Sequence, residues 1–365
     1  MKHSIVYKRS GTYGAFPILQ QLPDGRITVG ISLSHFRDHH GIGKWTVLVS
    51  KDKGKKWEQT TDSSLPATWP GTNARERGDR FASVMPDGSY LCAGMIGVEA
   101  WPPNRLDEAK KCGFSVEEYP MEYWGGKSNE SRIIVQRPTL FVQRSKDRGK
   151  TWDRKEWDVP GFTGTAFSRS CRLEDGTILV PIYGSDKDNK GQCFVWRGSN
   201  EGRTWRMHHM GQNGNETAFV EIESGMVLAL SRDDLGVNLI QRWSNDGGIN
   251  WTQALDTKIF APNSPPHLLK LVDGRILATY GYRAEPMGIR SVFSNDLGET
   301  WDVENTVVLR DDGGFPSELH NSHKRSAGDL GYAHSAQLPN GSIISVYYIT
   351  LADRITHSAA THWNP

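Results

Sequence analysis

Ser294-Asn-Asp-Leu-Gly-Glu-Thr-Trp301 is one of five copies of a single box, and its recurrence decides the fold. The other copies are SKDKGKKW (Ser50 to Trp57), SKDRGKTW (Ser145 to Trp152), GSNEGRTW (Gly198 to Trp205) and SNDGGINW (Ser244 to Trp251). Repetition at roughly 50 residues identifies one supersecondary unit stacked several times. Each box reads as a hairpin turn. Asp52, Asp147, Asp246 and Asp296 are placed to accept backbone N–H bonds within it, and Gly54, Gly149, Gly248 and Gly298 supply a permissive backbone. The closing Trp is expected to bury its ring between neighbouring units. The box is a structural device.

A second repeat fixes the number of units. Six apolar-turn-apolar hairpins occur: Leu22–Val29, Met85–Cys92, Leu173–Val180, Ile222–Ala229, Leu271–Ala278 and Leu338–Ser345. Each carries an Asp, Asn or Ser before Gly, between β-rich runs. The pattern predicts an all-β, six-bladed β-propeller, four antiparallel strands to a blade, with the box between the third and fourth strands. The sixth unit ends one strand short, so Ser4–Lys8 is the expected fourth strand, closing the ring and covering its open edge. A seven-bladed ring would need an unmarked blade within the second unit.

One domain is therefore expected over residues 1–365, with an inserted rim segment at about 97–137. Within the insert, Leu106–Lys111 is expected to be a short helix. Trp101, Tyr119, Tyr123 and Trp124 suit sugar stacking or, equally, a loop packed on its own blade.

The bulk numbers exclude several classes. With 43 basic and 42 acidic residues there is no electrostatic footprint for nucleic acid or an anionic membrane. No apolar run reaches the roughly 18 residues that span a bilayer. The opening MKHSIVYKRSG lacks a signal-peptide core, so a cytoplasmic location is expected. Cys92, Cys112, Cys171 and Cys193 show no metal spacing and read as reduced thiols; a Cys171–Cys193 disulfide is the less favoured alternative. His35, His39 and His40 fit no standard metal site either, and no metal is expected.

In such a ring the first strand of every blade lines the axis, so strand-1 entrances and strand-2 exits converge on one face. Those positions include Ala15, Phe16, Arg37, Asp38, His40, Arg80, Arg169, Glu216, Arg232, Asn263, Arg283, Tyr332 and His334. Converging guanidinium forks match a carboxylate bidentately, and some of these arginines are expected to be ion pairs between blades instead.

Boxes and axial set together resemble the sialidase (neuraminidase) superfamily, in which the box is called the Asp box or BNR repeat. NETAFVEIESGMVLALSR, from Asn215 to Arg232, is similar to the segment in which a Glu opens a strand and an Arg ends its partner. GDLGYAHSAQLPNGSIISVYY, from Gly328 to Tyr348, is similar to the segment carrying the nucleophilic tyrosine. The resemblance implies Tyr332 as nucleophile, Glu216 as the carboxylate taking its proton, and Arg232 as a carboxylate-binding arginine. It also implies Asp38 as general acid, with His39 or His40 as alternatives. Arg283 or Arg290 would be the third arginine, Arg290 being preferred on its distance from the box. A phenol with a pKa near 10 needs such a base to attack at neutral pH. No cofactor is implied.

One departure bears on the substrate. YGAFPILQQLPDG sets Ala15 where the family's first arginine stands. A hydrogen bond to a charged group contributes about 1.5–3 kcal/mol, so its loss weakens carboxylate binding by about ten- to a hundredfold. Arg37 or Arg80 is the candidate replacement, and His40 and His334 complete the expected substrate-facing set.

Three readings follow. The first is an exo-glycoside hydrolase acting on a terminal acidic or modified sugar. The second is a lyase for uronate-containing glycans, with His39, His40 or His334 as base and Tyr332 as acid. The third is a non-catalytic carbohydrate-binding propeller, which requires Glu216 and Tyr332 to be out of each other's reach. A carbohydrate is the expected partner in all three, and the oligomeric state is left open.

Overall fold

A computed structural model describes residues 1–22, 24–35, 44–62, 65, 74–78, 82–119, 132–159, 161–167, 169–185, 191–319 and 328–365. They form six antiparallel sheets arranged as the six blades of a propeller. Blade IV shows the plan: Thr217–Glu223, Met226–Arg232, Asn238–Ser244 and Leu255–Phe260, in that spatial order from axis to rim. Blade V repeats it with Pro266–Lys270, Ile276–Tyr282, Gly288–Ser294 and Val307–Arg310.

Burial follows position in the blade. A second strand such as Ile343–Thr350 is buried at every residue, because it is sandwiched between neighbouring blades. The outer strand Leu255–Phe260 alternates, with only Thr257 and Ile259 buried, as expected where one face meets water.

Ring closure is as the sequence predicts. Blade VI takes Gly331–Gln337, Ile343–Thr350 and Thr356–Trp363 from the C-terminal part of the chain. Lys2–Tyr7 pairs antiparallel with the last of these, Ser4 opposite Ala360 and Ile5 opposite Ala359.

The boxes lie between third and fourth strands. Ser294 Oγ donates to Asp296 Oδ1 at 2.7 Å and accepts the Gly298 N–H at 2.8 Å. Asp296 in turn accepts the Thr300 N–H at 2.9 Å. The same wiring recurs from Ser50, Ser145 and Ser244. These bonds, those from Thr151 above all, hold the Asp147 carboxyl down at about 2. The third box has Gly198 and Asn200 in place of Ser and Asp, and a Ser199–Thr204 hydroxyl contact of 2.9 Å bridges its turn. Gly298 is required twice over. Its φ is 92°, and a Cβ there would lie 2.6 Å from Leu228 on the second strand of the preceding blade. Trp301 is buried between blades as expected, whereas Trp57, Trp152, Trp205 and Trp251 are half-buried.

The insert enlarges blade II. Tyr90–Trp101 leads into the helix Leu106–Lys111, and Ser115–Tyr119 then pairs with Arg132–Ser145. Trp101 is not offered for stacking: it is buried with Ala109, Ile133 and Val135 in a satellite core, beneath the Arg105 guanidinium at 3.7 Å. Tyr119 lies on the added strand, and Tyr123 and Trp124 fall outside the described residues. All four cysteines are free thiols, and burial pushes Cys171 up to about 12. Among the described residues no helix is long and apolar enough to cross a membrane, and no group of His, Cys, Asp and Glu is placed to hold a metal.

Candidate active site

Antiparallel order places the strand-1 entrances at the end of the ring opposite the boxes, and three blades supply the polar site there. In blade IV, Glu216 and Arg232 face each other across the mouth of the first hairpin, where the Arg232 N–H donates to Glu216 O at 3.1 Å. Asn215 braces this mouth, accepting the Glu216 N–H at 2.7 Å and donating to Asp234 at 2.8 Å. Arg232 Nη1 then donates to Glu216 Oε2 at 3.0 Å. Burial lowers the Arg232 pKa, but the charges of Glu216 and Tyr332 outweigh it and hold the guanidinium above its usual value.

Tyr332 comes from blade VI. Its φ of 49° coincides with a register shift between Gly331 and His334, a bulge that re-aims the side chain. Its Oη donates to Glu216 Oε1 at 2.7 Å, although the two residues are 116 apart in sequence. Phenol, carboxylate and guanidinium thus form one line, with the carboxylate almost wholly buried. A phenol bonded to a carboxylate can pass its proton as its oxygen attacks an electrophile. The non-catalytic reading required the opposite separation.

Blade V adds Arg283 and Asn263. The Arg283 guanidinium lies 5.9 Å from the Tyr332 ring centre and donates to Leu330 O at 3.1 and 2.8 Å. Asn263 bridges the two arginines: its Oδ1 accepts from Arg232 and its carbonyl from Arg283. Sequence reasoning placed Asn263 on the axis without assigning it a role. The signal in the sequence is an Asn set among prolines in APNSPP, a residue that tolerates the left-handed backbone, and its φ is 54°.

Arg290 is not brought to this cluster, so the preference for it over Arg283 is reversed. It is buried on the third strand of blade V, where its guanidinium donates to the carbonyls of Ile289, Pro286 and Arg310. A register shift between Ile289 and Arg290 interrupts the ladder at that point. His334 lies two residues beyond Tyr332, buried and stacked on His267 with centroids 4.7 Å apart. Burial, then the charges of His267 and Arg169, pull its pKa well below the ordinary range. Arg37, Asp38, His39, His40 and Arg80 lie outside the described residues.

Around Tyr332 the wall is aromatic. Phe16 meets its ring edge-on at 4.8 Å, with Phe167 and Tyr348 each at 5.9 Å. Asp329, three residues ahead of Tyr332, accepts the hydroxyls of Tyr13 and Tyr348, each at 2.8 Å. Ala15 is fully buried against these rings.

The BNR repeat-like domain family model matches residues 119–346. A sialidase of Bacteroides fragilis is 25% identical over 236 residues, 62% of this chain and 40% of that protein. The chain thus spans about two fifths of the length of that curated relative. Among solved structures, a Dyadobacter fermentans protein of unknown function superposes with a TM-score of 0.73 at 22% identity, covering 99% of this chain and 97% of the other. A Hadza microbial sialidase gives 0.62 at 18% identity, over 96% of this chain and 66% of its own. At these identities the structural likeness speaks to the fold alone.

Proposed function

We propose, for a chain that belongs to the BNR repeat-like domain family and has a sialidase-like fold, a glycoside hydrolase of the sialidase type acting on a terminal acidic or modified sugar. The observation that carries this reading is the 2.7 Å contact between Tyr332 Oη and Glu216 Oε1. Tyr332 Oη attacks the anomeric carbon while Glu216 takes the phenolic proton. The bond from that carbon to the leaving oxygen breaks, and Asp38 protonates the oxygen. Water then attacks the glycosyl-tyrosine, giving a proton to Asp38, and Tyr332 leaves with the proton held by Glu216. Arg232 keeps Glu216 oriented through its 3.0 Å ion pair. Arg283 fixes the Leu330 carbonyl just ahead of Tyr332.

A panel of fluorogenic aryl glycosides, a sialoside among them, tests this on the wild type, Tyr332→Phe and Glu216→Gln. Turnover by the wild type that both substitutions abolish is expected. Turnover that survives Tyr332→Phe would sink the mechanism. Near-ultraviolet absorbance from an unsaturated uronate, without hydrolysis, would select the eliminating reaction instead.

A further inference from the structure

Phe16 and Tyr332 lie near the starts of the first strands of adjacent blades I and VI, within Tyr13–Gln21 and Gly331–Gln337, and both hold left-handed backbones, with φ of 54° and 49°. For bulky side chains this conformation is costly and persists only where the surroundings enforce it, most often at functional sites. The strand Tyr13–Gln21 shifts register between Ala15 and Ile18, as the blade VI strand does around Tyr332. The two bulges turn the rings against each other at 86°. Phe16 packs on the core rings of Tyr13 and Tyr348 and stays half-buried, while its neighbour Ala15 is fully enclosed. Behind Phe16, Tyr348 at 5.2 Å and Tyr13 at 6.3 Å are pinned by Asp329.

Arg283 also lies against the Tyr332 ring at 5.9 Å, and the guanidiniums of Arg232 and Arg283 bond Glu216, Asn263 and Leu330. The nucleophile therefore has an apolar ring at its edge, and the guanidiniums beside it are already bonded within the protein. We propose that Phe16 is a specificity-determining residue whose ring packs on an uncharged, C–H-rich face of the substrate sugar. The favoured class is then a deoxy or methyl-bearing sugar presenting that face, rather than a carboxylate, on the blade I side of its anomeric carbon. This rests on the glycosidase reading above, with the sugar of its modified rather than acidic kind.

Ligand-observed saturation-transfer NMR, with titration, compares methyl α-L-rhamnopyranoside with the methyl α-glycoside of N-acetylneuraminic acid. The proteins are wild type, Phe16→Ala, Phe16→Leu and Tyr332→Phe; Phe16→Leu keeps the test open should the alanine variant fail to fold. The neutral glycoside is expected to bind more tightly than the sialoside. Its affinity should fall about tenfold without the Phe16 ring, in line with the loss of one aromatic contact. A sialoside that binds better, with an affinity indifferent to Phe16, overturns the proposal and points to Arg37 or Arg80 as carboxylate ligands. Absence of binding by either sugar overturns it as well. Hydrolysis tracks the Tyr332 hydroxyl and this affinity tracks the Phe16 ring, so the two readings fail separately.

Discussion

The Tyr332–Glu216 contact makes a quantitative claim that needs no substrate. Tyr332→Phe removes one hydroxyl and keeps the ring contacts to Phe16, Phe167 and Tyr348. A hydrogen bond to a charged acceptor contributes about 1.5–3 kcal/mol, and Glu216 retains Arg232, so the carboxylate is not orphaned. For 365 residues the unfolding entropy is about 0.8 kcal/mol per degree, which converts that loss to roughly 2–4 °C in Tm. Glu216→Gln should cost more, about 3 kcal/mol, because it also strips the ion-pair partner from Arg232. The lower end of the range for broken buried pairs applies, since the Arg232 side chain is 22% exposed. Unfolding of the wild type, Tyr332→Phe, Glu216→Ala (Gln would keep a carbonyl that accepts the phenol) and the double variant forms a thermodynamic cycle whose coupling term should be about 1.5–3 kcal/mol. A coupling below about 0.5 kcal/mol means additive, independent sites. That result refutes the bond, and with it the proton path from Tyr332 to Glu216.

Gly298→Ala and Gly274→Ala share nearly the same φ, 92° and 90°, hence the same backbone cost of about 1–2 kcal/mol. Only the former drives a Cβ into Leu228, so it should lose a further 1–3 kcal/mol or so in chemical unfolding; equal losses would contradict the blade-to-blade role of the box glycine. His267 is pulled down to about 4 by burial and by Arg169, against an ordinary 6.5. Between those values the unfolded chain binds a proton that the native state does not, so stability falls as pH drops through the window. His267→Gln should make that fall shallower when unfolding temperatures at pH 7.5 and pH 4.5 are compared, and an unchanged slope would sink the assignment.

The propeller was legible because its turns are chemically specified. A turn that uses one hydroxyl and one carboxylate to collect backbone N–H groups spells Ser-x-Asp-x-Gly, and the six Asp/Asn/Ser-Gly hairpins print the count of blades in the chain. The missing fourth strand of blade VI pointed to Ser4–Lys8 by elimination, and the strand forms over Lys2–Tyr7. Glu216 and Arg232 were legible for a similar reason, since a hairpin mouth sets them opposite each other without any long-range information. Arg283 and Arg290 could not be told apart on spacing. Which of them reaches the axis depends on a register shift beside Arg290 that leaves carbonyls for its guanidinium to bond. Trp101 was left open for a different reason: an aromatic residue in an insert suits a ligand or a satellite core equally well, and only the apolar partners Ala109, Ile133 and Val135 decide.

Among the described residues, left-handed non-glycine backbones mark the axial mouth at Phe16, Asn263 and Tyr332. They belong to blades I, V and VI, and each leads into a first strand or interrupts one. A regular ladder would point successive side chains alternately to the two neighbouring blades. Turning a side chain into the mouth therefore needs a break in the ladder. The box turns, with their short serine–aspartate bonds, lie at the far end of the same sheets. That division explains how the ring tolerates strain on its axis. Second strands, buried along nearly their whole length, and self-satisfied turns fix each blade, so the entrances can be distorted without loosening the array. It also explains why the wall beside Tyr332 was hard to read from sequence: AFP at residues 15–17 looks like core, and only the sign of one φ turns Phe16 toward the mouth.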